Sequence, residues 1–282
     1  MSAAKTICNK SVFLRTRTAW VAGFATLAAI TFLTSLHSQT NHSPDNTAGA
    51  RTAGTSVPDF TGVWRRTRRP PDNKRKYTLF ELALSLTNEQ PPMTPWGLEK
   101  FKAARPNVGP HSVTIAETND PTANCFPPGV PKIYLMRGAP FEIVQEPGRV
   151  LMYFEYDHFV REIFTDGRQH TTDPNPTWMG ESIGRWEGKT LVIDTIGFND
   201  KTWLDYDGHP HSDQLHLIER IQRPTRGSLV NDITIEDPKA YTKPWSSHMV
   251  FDLHPDWKIE ETICEDNVNF ADVQKVAESK KK

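Results

Sequence analysis

The chain has little cysteine and no excess of basic residues, and these two shortages exclude several classes of protein. Three cysteines in 282 residues argue against a site built from cysteine ligands or a cysteine nucleophile. Basic residues number 33 against 34 acidic ones, so no basic face remains for binding nucleic acid. Internal repeats are also missing, which argues against a repetitive envelope protein, and the β-rich pattern argues against the strand–turn–helix serine elbow of α/β hydrolases.

Residues 1–40 predict an export signal. Four basic residues, Lys5, Lys10, Arg15 and Arg17, precede or border an apolar run, and no acidic residue interrupts the segment. The run of about 16 residues is slightly short for a membrane span, and no clear cleavage position follows it. Cleavage and retention as an N-terminal anchor therefore both stay open. Either outcome predicts an exported protein, periplasmic or secreted, that contacts a membrane only through this segment if it is not cleaved.

Export changes the interpretation of the cysteines. Cys8 lies in the signal, which leaves Cys125 and Cys264 in a compartment that oxidises thiols. We expect these two to form a disulfide, and the alternative is a pair of buried free thiols.

Composition divides the rest of the chain into three parts. Residues 41–58 are small and polar without periodicity, so they predict a flexible linker. Residues 59–272 predict a single folded domain, and residues 273–282 predict a polar tail.

The domain is predicted to be an all-β, antiparallel meander. β-rich runs flank turns at 147–148, 187–189, 224–227 and 254–257. Short turns between successive strands indicate antiparallel neighbours, and closing such a sheet removes its edges. We therefore expect a lipocalin-like barrel of about eight strands. A short helix, starting at Thr94-Pro95, and long loops should precede the main hairpins.

Two motifs carry resemblances to known families. The Gly62-x-Trp64 pair on an opening strand resembles the lipocalin or calycin barrels. The core GRWEGKTLVIDTIGFND, residues 184–200, is similar to a largely uncharacterised family of exported bacterial proteins, as is the D-P-x-x-Y-T-x-P-W run at Asp237–Trp245. This resemblance covers roughly residues 60–270; it implies a lipocalin-like fold and brings with it no established activity or catalytic residue.

The densest polar cluster follows this core and predicts a possible divalent-metal site. His209, His211, Asp213 and His216 form an H-x-H-x-D-x-x-H pattern, which offers imidazole and carboxylate ligands at spacings that metal sites use. Alternate residues of an extended segment point the same way, so the first three could converge. The alternative is a polar loop whose histidines are simply solvated.

Metal-free acid–base chemistry is the second hypothesis for the same region. Strand alternation places Asp194 among apolar neighbours, which would shift its pKa or require a partner such as Arg220. His158, His211 and Asp213 complete the candidate catalytic set, since a histidine–carboxylate pair suits proton transfer near neutral pH. The alternative is a buried network of charges that only fixes the strand register.

Two classes of function remain open. The first is an exported enzyme, of the isomerase, hydro-lyase or hydrolase type, acting on a small organic molecule in a barrel pocket. The second is a non-catalytic, lipocalin-like carrier of a small, partly apolar ligand. Both would use ligand-binding side chains, for which we expect Arg161, Trp178, Trp203, His216 and Trp245; tryptophans of this kind also commonly belong to the core.

Overall fold

Nine β-strands close into one barrel in which each strand pairs with its neighbour in sequence and the first pairs with the last. This computed structural model describes residues 57–67, 84–109, 111–136 and 138–265. The strands are β1 (Gly62–Arg66), β2 (Phe141–Glu146), β3 (Arg149–Phe154), β4 (Val160–Phe164), β5 (Glu181–Glu187), β6 (Thr190–Ile196), β7 (His216–Thr225), β8 (Ser228–Glu236) and β9 (Trp245–Leu253). The predicted all-β barrel is confirmed, whereas the predicted export signal and polar tail lie outside the described residues.

One pair of neighbouring strands is parallel, which corrects the prediction of a wholly antiparallel meander of about eight strands. β4 and β5 run in the same direction and pair through Ile163–Ser182 and Phe164–Ile183. Strand direction must return to its starting sense around a closed ring, so nine strands cannot alternate throughout. The crossover of residues 165–180 supplies the necessary parallel pair, and the other neighbours are antiparallel.

Three of the four predicted hairpins are present, and the fourth is wrong. The turns at 147–148, 187–189 and 226–227 connect β2 to β3, β5 to β6 and β7 to β8. Residues 258–263, predicted to pair with β9, form no strand and contribute one isolated bridge, Tyr156–Thr262. The physical reason is closure, because β1 already occupies the free side of β9 through Trp64–Leu253.

In the described residues one α-helix, α1 (Pro95–Ala103), is present, and it begins where the sequence predicts. The Thr94 hydroxyl accepts a hydrogen bond from the Gly97 backbone N–H at 3.1 Å, and Pro95 occupies the first turn. Gly97 is required for packing, since a Cβ at this position would lie 2.2 Å from the Ala240 carbonyl oxygen. The helix therefore packs directly on the segment between β8 and β9.

Side chains fill the inside of the barrel. Alternate residues of each strand point inward, and the buried set includes Trp64, Phe141, Ile143, Met152, Ile163, Leu191, Ile193, Leu217, Ile233 and Phe251. Tyr134, from the 3-10 turn Lys132–Leu135, adds its ring against Phe141, Phe154 and Phe251 at centroid distances of 5.6–5.7 Å. A barrel of this size has an interior just wide enough for such packing.

A charged pair lies at the centre of this apolar interior. Arg161 of β4 donates to Glu219 of β7, and the two side chains are 1% and 0% exposed. Arg161 also donates to Tyr134 Oη at 2.8 Å and Thr195 Oγ1 at 2.9 Å, while Asn231 Nδ2 donates to Glu219 Oε1 at 2.8 Å. Burial lowers the pKa of the guanidinium, but Glu219 and Tyr134 together outweigh burial and the net shift is upward. Arg161 therefore stays charged inside the barrel.

Two further links hold the loops against the barrel. Lys132 is fully buried and donates to both carboxylate oxygens of Asp120, at 2.7 and 2.8 Å. The predicted Cys125–Cys264 disulfide is present and closes a separation of 139 residues. Loop-closure entropy gives such a bridge about 4–5 kcal/mol of stability in the chain-entropy model. The disulfide is compatible with an exported protein, and no helix in the described part of the chain could cross a membrane.

We predict that the Glu219→Gln substitution lowers the free energy of unfolding by about 3–5 kcal/mol, because it leaves the Arg161 charge buried without a counter-charge. Urea unfolding measures this loss. The matched control is Glu187→Gln, which breaks the exposed contact with Arg220 at 2.9 Å and should cost less than about 1 kcal/mol. Equal losses in the two variants would contradict the central role of the buried pair.

Candidate functional site

Five ionisable side chains form a continuous chain across the outer face of β5 to β8. We call Glu181, His170, Asp194, His216 and Glu236 the histidine–carboxylate chain. Asp194 Oδ1 lies 3.1 Å from His170 Nε2 and 2.9 Å from His216 Nε2. His170 Nδ1 lies 3.0 Å from Glu181 Oε1, and His216 Nδ1 lies 3.3 Å from Glu236 Oε2. Two imidazoles thus share one central carboxylate, and each has a second carboxylate on its far side.

Strand register brings three members of the chain together. Asp194 of β6 lies opposite Ile218 of β7, so His216 stands two residues away along the neighbouring strand, on the same outer face. Such diagonal neighbours lie within reach of long side chains. His216 in turn lies directly opposite Glu236 of β8. These contacts follow from the alternation of the strands and from the hairpin register.

The crossover between β4 and β5 supplies His170, and the first residue of β5 supplies Glu181. Thr171 donates to Glu181 through its backbone N–H at 2.7 Å and its hydroxyl at 2.6 Å, which fixes the carboxylate beside His170. The hydroxyl hydrogen bond is the main reason that the pKa of Glu181 lies below its ordinary value. Thr177 anchors the crossover to the end of β6 through hydrogen bonds with Gly197 and Asn199. The crossover is therefore held in place on the C-terminal side of His170.

A cleft of about 410 Å³ adjoins the chain at the parallel strand pair. Glu181 belongs to both features, since its carboxylate contacts His170 and its residue lines the cleft. The other lining residues come from β4, the crossover and the start of β5: Val160, Arg161, Glu162, Phe164, Thr171, Asp173, Pro174, Asn175, Thr177, Met179, Gly180 and Ser182. The cleft therefore gives a small molecule access to one end of the histidine–carboxylate chain.

A second cluster of ionisable groups is buried in the loop between β6 and β7. His209 Nδ1 lies 2.6 Å from Asp205 Oδ2, and the His209 ring stacks on Phe101 of α1 at 5.0 Å. Burial alone would lower the pKa of His209, but the Asp205 carboxylate raises it above its ordinary value. Burial raises the pKa of the neighbouring Asp207 carboxyl, with Asp205 adding to the effect.

The distances within this buried cluster would suit a metal ion, but the surrounding charges are unfavourable for binding one. Asp205, Asp207 and His209 place one potential ligand atom each within 4.8 Å of one another. Two cations, Arg66 and Lys132, already interact with Asp205, and its oxygens accept the backbone N–H groups of Leu86 and Asp207 at 3.1 and 3.0 Å. These donors bind the carboxylate to surrounding loops, so we assign the cluster a role in fixing the loops.

The four residues of the predicted metal pattern do not come together. His209 contacts Asp205, and His216 lies on the outer face with Asp194. His211 is buried, with Nε2 at 2.8 Å from Thr202 Oγ1 and Nδ1 at 3.1 Å from the Ser212 carbonyl. Asp213 is exposed and lies 3.5 Å from Lys239. The segment turns at Asp213 and Gln214, where the Leu215 N–H donates to the Ser212 carbonyl at 3.2 Å, instead of running extended. This turn separates Asp213 and His216 from the two buried histidines.

The predicted catalytic set is also divided. Asp194 is paired with His170 and His216, whereas Arg220, expected as its partner, donates to Glu187 at 2.9 Å. His158 lies in a left-handed turn between β3 and β4, where its Nε2 contacts the Glu260 carbonyl at 3.2 Å.

The predicted ligand-binding residues have mostly structural contacts. Arg161 points into the barrel, where its donors are used by Glu219, Tyr134, Thr195 and Ser182. Trp245 is buried against Tyr241, Trp203 lies under the Lys132 ammonium group, and Trp178 packs beside Phe126. Of this set, His216 alone takes part in the histidine–carboxylate chain.

Sequence reasoning missed His170, Glu181 and Glu236. His170 lies in a turn-rich segment without periodicity, so no pattern connects it with Asp194, 24 residues away. Glu236 could have been found, because the hairpin between β7 and β8 places it opposite His216. Glu181 is the first residue of β5. Its contact with His170 depends on the path of the crossover, and the sequence does not reveal that path.

Comparison with known proteins adds no relative. No protein-family model matches the chain, and no curated protein sequence matches it.

The two buried histidines, two residues apart, should give opposite pH dependences of stability. The pKa of His209 is raised in the folded state. Its contribution to the free energy of unfolding is therefore complete below the ordinary pKa of 6.5 and is lost as the pH rises through the folded-state pKa. Burial lowers the pKa of His211. Its contribution to the free energy of unfolding is therefore fully present above pH 6.5 and is lost as the pH falls from 6.5 through the lowered folded-state pKa.

Urea unfolding of the wild type, His209→Gln and His211→Gln between about pH 5 and 9 tests this contrast. The stability difference between wild type and His209→Gln should shrink with rising pH. The difference for His211→Gln should shrink with falling pH. Two differences with the same pH trend would contradict the assigned environments.

Proposed function

We propose that the protein is an exported enzyme that performs acid–base or metal-assisted chemistry on a small molecule bound in the cleft beside β4 and β5. The observation that carries this proposal is that Glu181 forms part of the cleft and is also one end of the histidine–carboxylate chain. A bound molecule would therefore contact a charged group that is connected to two imidazoles. Isomerases, hydro-lyases and hydrolases require ionisable groups at this kind of position.

The lining of the cleft favours a neutral or cationic substrate. Asp173 and Glu181 contribute carboxylates, as does Glu162, which is paired with Arg149 at 2.9 Å, and the guanidinium of Arg161 is turned into the barrel. Arg168 lies at the edge, over the Phe164 ring, and is paired with Asp166 at 2.6 Å. Hydroxyl, amide and apolar side chains make up the rest of the wall. An uncharged or amine-bearing molecule with a small apolar part fits this surface better than an anion does.

The alternative is a lipocalin-like carrier, and the filled barrel interior argues against it. A carrier of that kind would hold its ligand inside the barrel. The centre of this barrel contains Arg161, Glu219, Tyr134 and surrounding aromatic rings, all buried. Membership of the exported bacterial family stays part of the proposal, supported by the 184–200 core and by the disulfide.

A fragment screen observed by backbone NMR tests the proposal, followed by turnover assays of the fragments that bind. Neutral and amine-bearing fragments should shift the resonances of Thr171, Asn175 and Gly180, which line the cleft. Glu181→Gln should retain binding and reduce turnover by roughly 10²- to 10⁴-fold, the range for loss of a proton-transfer group. Fragments that bind in the cleft and are never converted would favour a carrier.

A pair of charge-reversal variants checks the assigned substrate class. Asp173→Lys reverses the charge at the rim of the cleft and should weaken the binding of an amine-bearing fragment by roughly two- to fivefold. The matched control is Asp256→Lys in the exposed turn after β9, away from the lining residues, and it should leave binding unchanged. Equal effects of the two variants would contradict the cleft as the binding site.

A further inference from the structure

We propose that His170 is a pH switch, which holds the crossover of residues 165–180 against the barrel when its imidazole is protonated and releases the crossover when the imidazole is neutral. The crossover forms one wall of the cleft, so the switch controls whether the cleft keeps the shape that binds a ligand. This control of binding rests on the proposed function, because it concerns the same cleft, whereas release of the crossover is a property of the protein alone.

The crossover is joined to the barrel by its backbone near both ends. The backbone N–H groups of Thr165 and Thr177 donate to carbonyl groups of the β2–β3 turn and of the residue after β6, at 2.8 and 2.9 Å. Between these ends, residues 166–176 are exposed except for His170 and Pro174, which are partly buried. His170 is thus one of two side chains through which the middle of the crossover packs on the barrel.

The His170 ring reaches two strands at once. Its Nδ1 lies 3.0 Å from Glu181 Oε1 of β5, and its Nε2 lies 3.1 Å from Asp194 Oδ1 of β6. Ionised carboxylates only accept hydrogen bonds, and imidazole carries an N–H on both nitrogens only when it is protonated. A protonated His170 therefore donates to both strands. A neutral His170 donates to one strand and turns a lone pair towards the carboxylate of the other.

The charges around His170 act in the same direction. The ionisable groups that face it, directly or through a shared partner, lie on four strands and within the crossover itself: Glu181 (β5), Asp194 (β6), His216 (β7), Glu236 (β8), Arg168 and Asp166. Three carboxylates of the histidine–carboxylate chain carry a formal charge of −3 with two neutral imidazoles and −1 with two protonated ones. Arg168 keeps its charge and is paired with Asp166 at 2.6 Å. Raising the pH therefore adds repulsion among the carboxylates while it removes hydrogen-bond donors.

The sign of the pH dependence follows from which groups change charge. The hydrogen bond from the Thr171 hydroxyl is the main cause that holds the pKa of Glu181 below its ordinary value, so this carboxyl is ionised above about pH 5. Histidine is the type of side chain that ordinarily changes its charge between about pH 5 and 8. Both hydrogen bonds of the switch are therefore present at the acidic end of this range, and one is lost as the pH rises.

Release of the crossover changes the wall of the cleft. Thr171, Asp173 and Asn175 of the crossover line the cleft together with residues of β4 and β5. The backbone hydrogen bonds near both ends remain, so a neutral His170 loosens the middle of this wall and leaves the barrel folded. A ligand that contacts this wall then binds only the fraction of molecules whose crossover is attached, and its apparent affinity falls accordingly.

The first experiment is a pH titration of the full exported chain by NMR, without ligand. The ring Cε1–H of His170 reports its protonation, and the methyl groups of Thr171 and Thr172 report the crossover without exchanging protons with water. We expect these methyl groups to become more mobile between about pH 5 and 9, with the same midpoint as the His170 ring. The Thr177 methyl group, at the attached end, should change less. Methyl groups that stay equally rigid, or a midpoint different from that of His170, would overturn the proposal.

Two substitutions of His170 should fix the switch in one state each. His170→Arg keeps its charge over the whole range and offers donors to both carboxylates, so the crossover should stay rigid at pH 9. His170→Gln carries no charge, so the crossover should be equally mobile at pH 5 and pH 9. The side chain is 18% exposed, and urea unfolding confirms that both variants fold. A His170→Gln protein that still responds to pH as the wild type does would overturn the proposal.

The matched control is His248→Gln. His248 also contacts a carboxylate on the outer face, with Nδ1 at 2.6 Å from Asp232 Oδ1, but it lies on β9 and away from the crossover. Its substitution should leave the pH response of the Thr171 and Thr172 methyl groups unchanged. Loss of the response in this variant would overturn the assignment of the switch to His170.

Binding of the neutral probe N-methylacetamide separates the switch from the proposed function. A neutral probe is used because the charge of the histidine–carboxylate chain changes with pH. Its affinity for the cleft should fall by roughly two- to fivefold between pH 5 and 9, the range for loss of a partly exposed charged contact, and should stay constant in His170→Arg. Equal affinity at both pH values would overturn the control of binding. A crossover that loosens as expected in a protein that binds no probe would support the switch and count against the proposed function.

Discussion

The ion pair between Arg161 and Glu219 is the constraint on which the rest of the structure depends. Two charges inside an apolar barrel are stable only as long as each remaining donor and acceptor finds a partner. Tyr134, Thr195, Ser182 and Asn231 meet that need. These partners come from three strands and from the 3-10 turn, so satisfying the pair fixes the barrel register and attaches the loops at the same time.

Because side chains fill the barrel interior, the ionisable groups of the candidate site lie on its outer face. The inward side chains of β6 and β7 belong to the core, whereas Asp194 and His216 of the same strands face outward and meet across the register. The parallel pair of β4 and β5 adds the second half of the site. Its crossover carries His170 and delivers Glu181 to the edge of the cleft. Closure of a nine-stranded ring therefore creates both the cleft and the neighbouring polar chain.

The sequence predicted those features that depend on local patterns. Alternation and turn residues predicted the barrel, three hairpins and the Thr94 cap. The predicted export of the chain led to the prediction of the Cys125–Cys264 bridge, which is present. Contacts between distant segments carry no such pattern. Arg161 was expected to bind a ligand because nothing local reveals Glu219, 58 residues away, and His170 was missed for the same reason. The turn at Asp213–Gln214 likewise separates His216 from the two histidines that precede it closely in the sequence.

The most direct test of the account is a crystal structure of the protein with a neutral or amine-bearing fragment bound. The account predicts that the fragment lies in the cleft beside β4 and the start of β5, in contact with Glu181, while Arg161 and Glu219 close the barrel centre. A fragment inside the barrel, or one bound only away from Glu181, would contradict it.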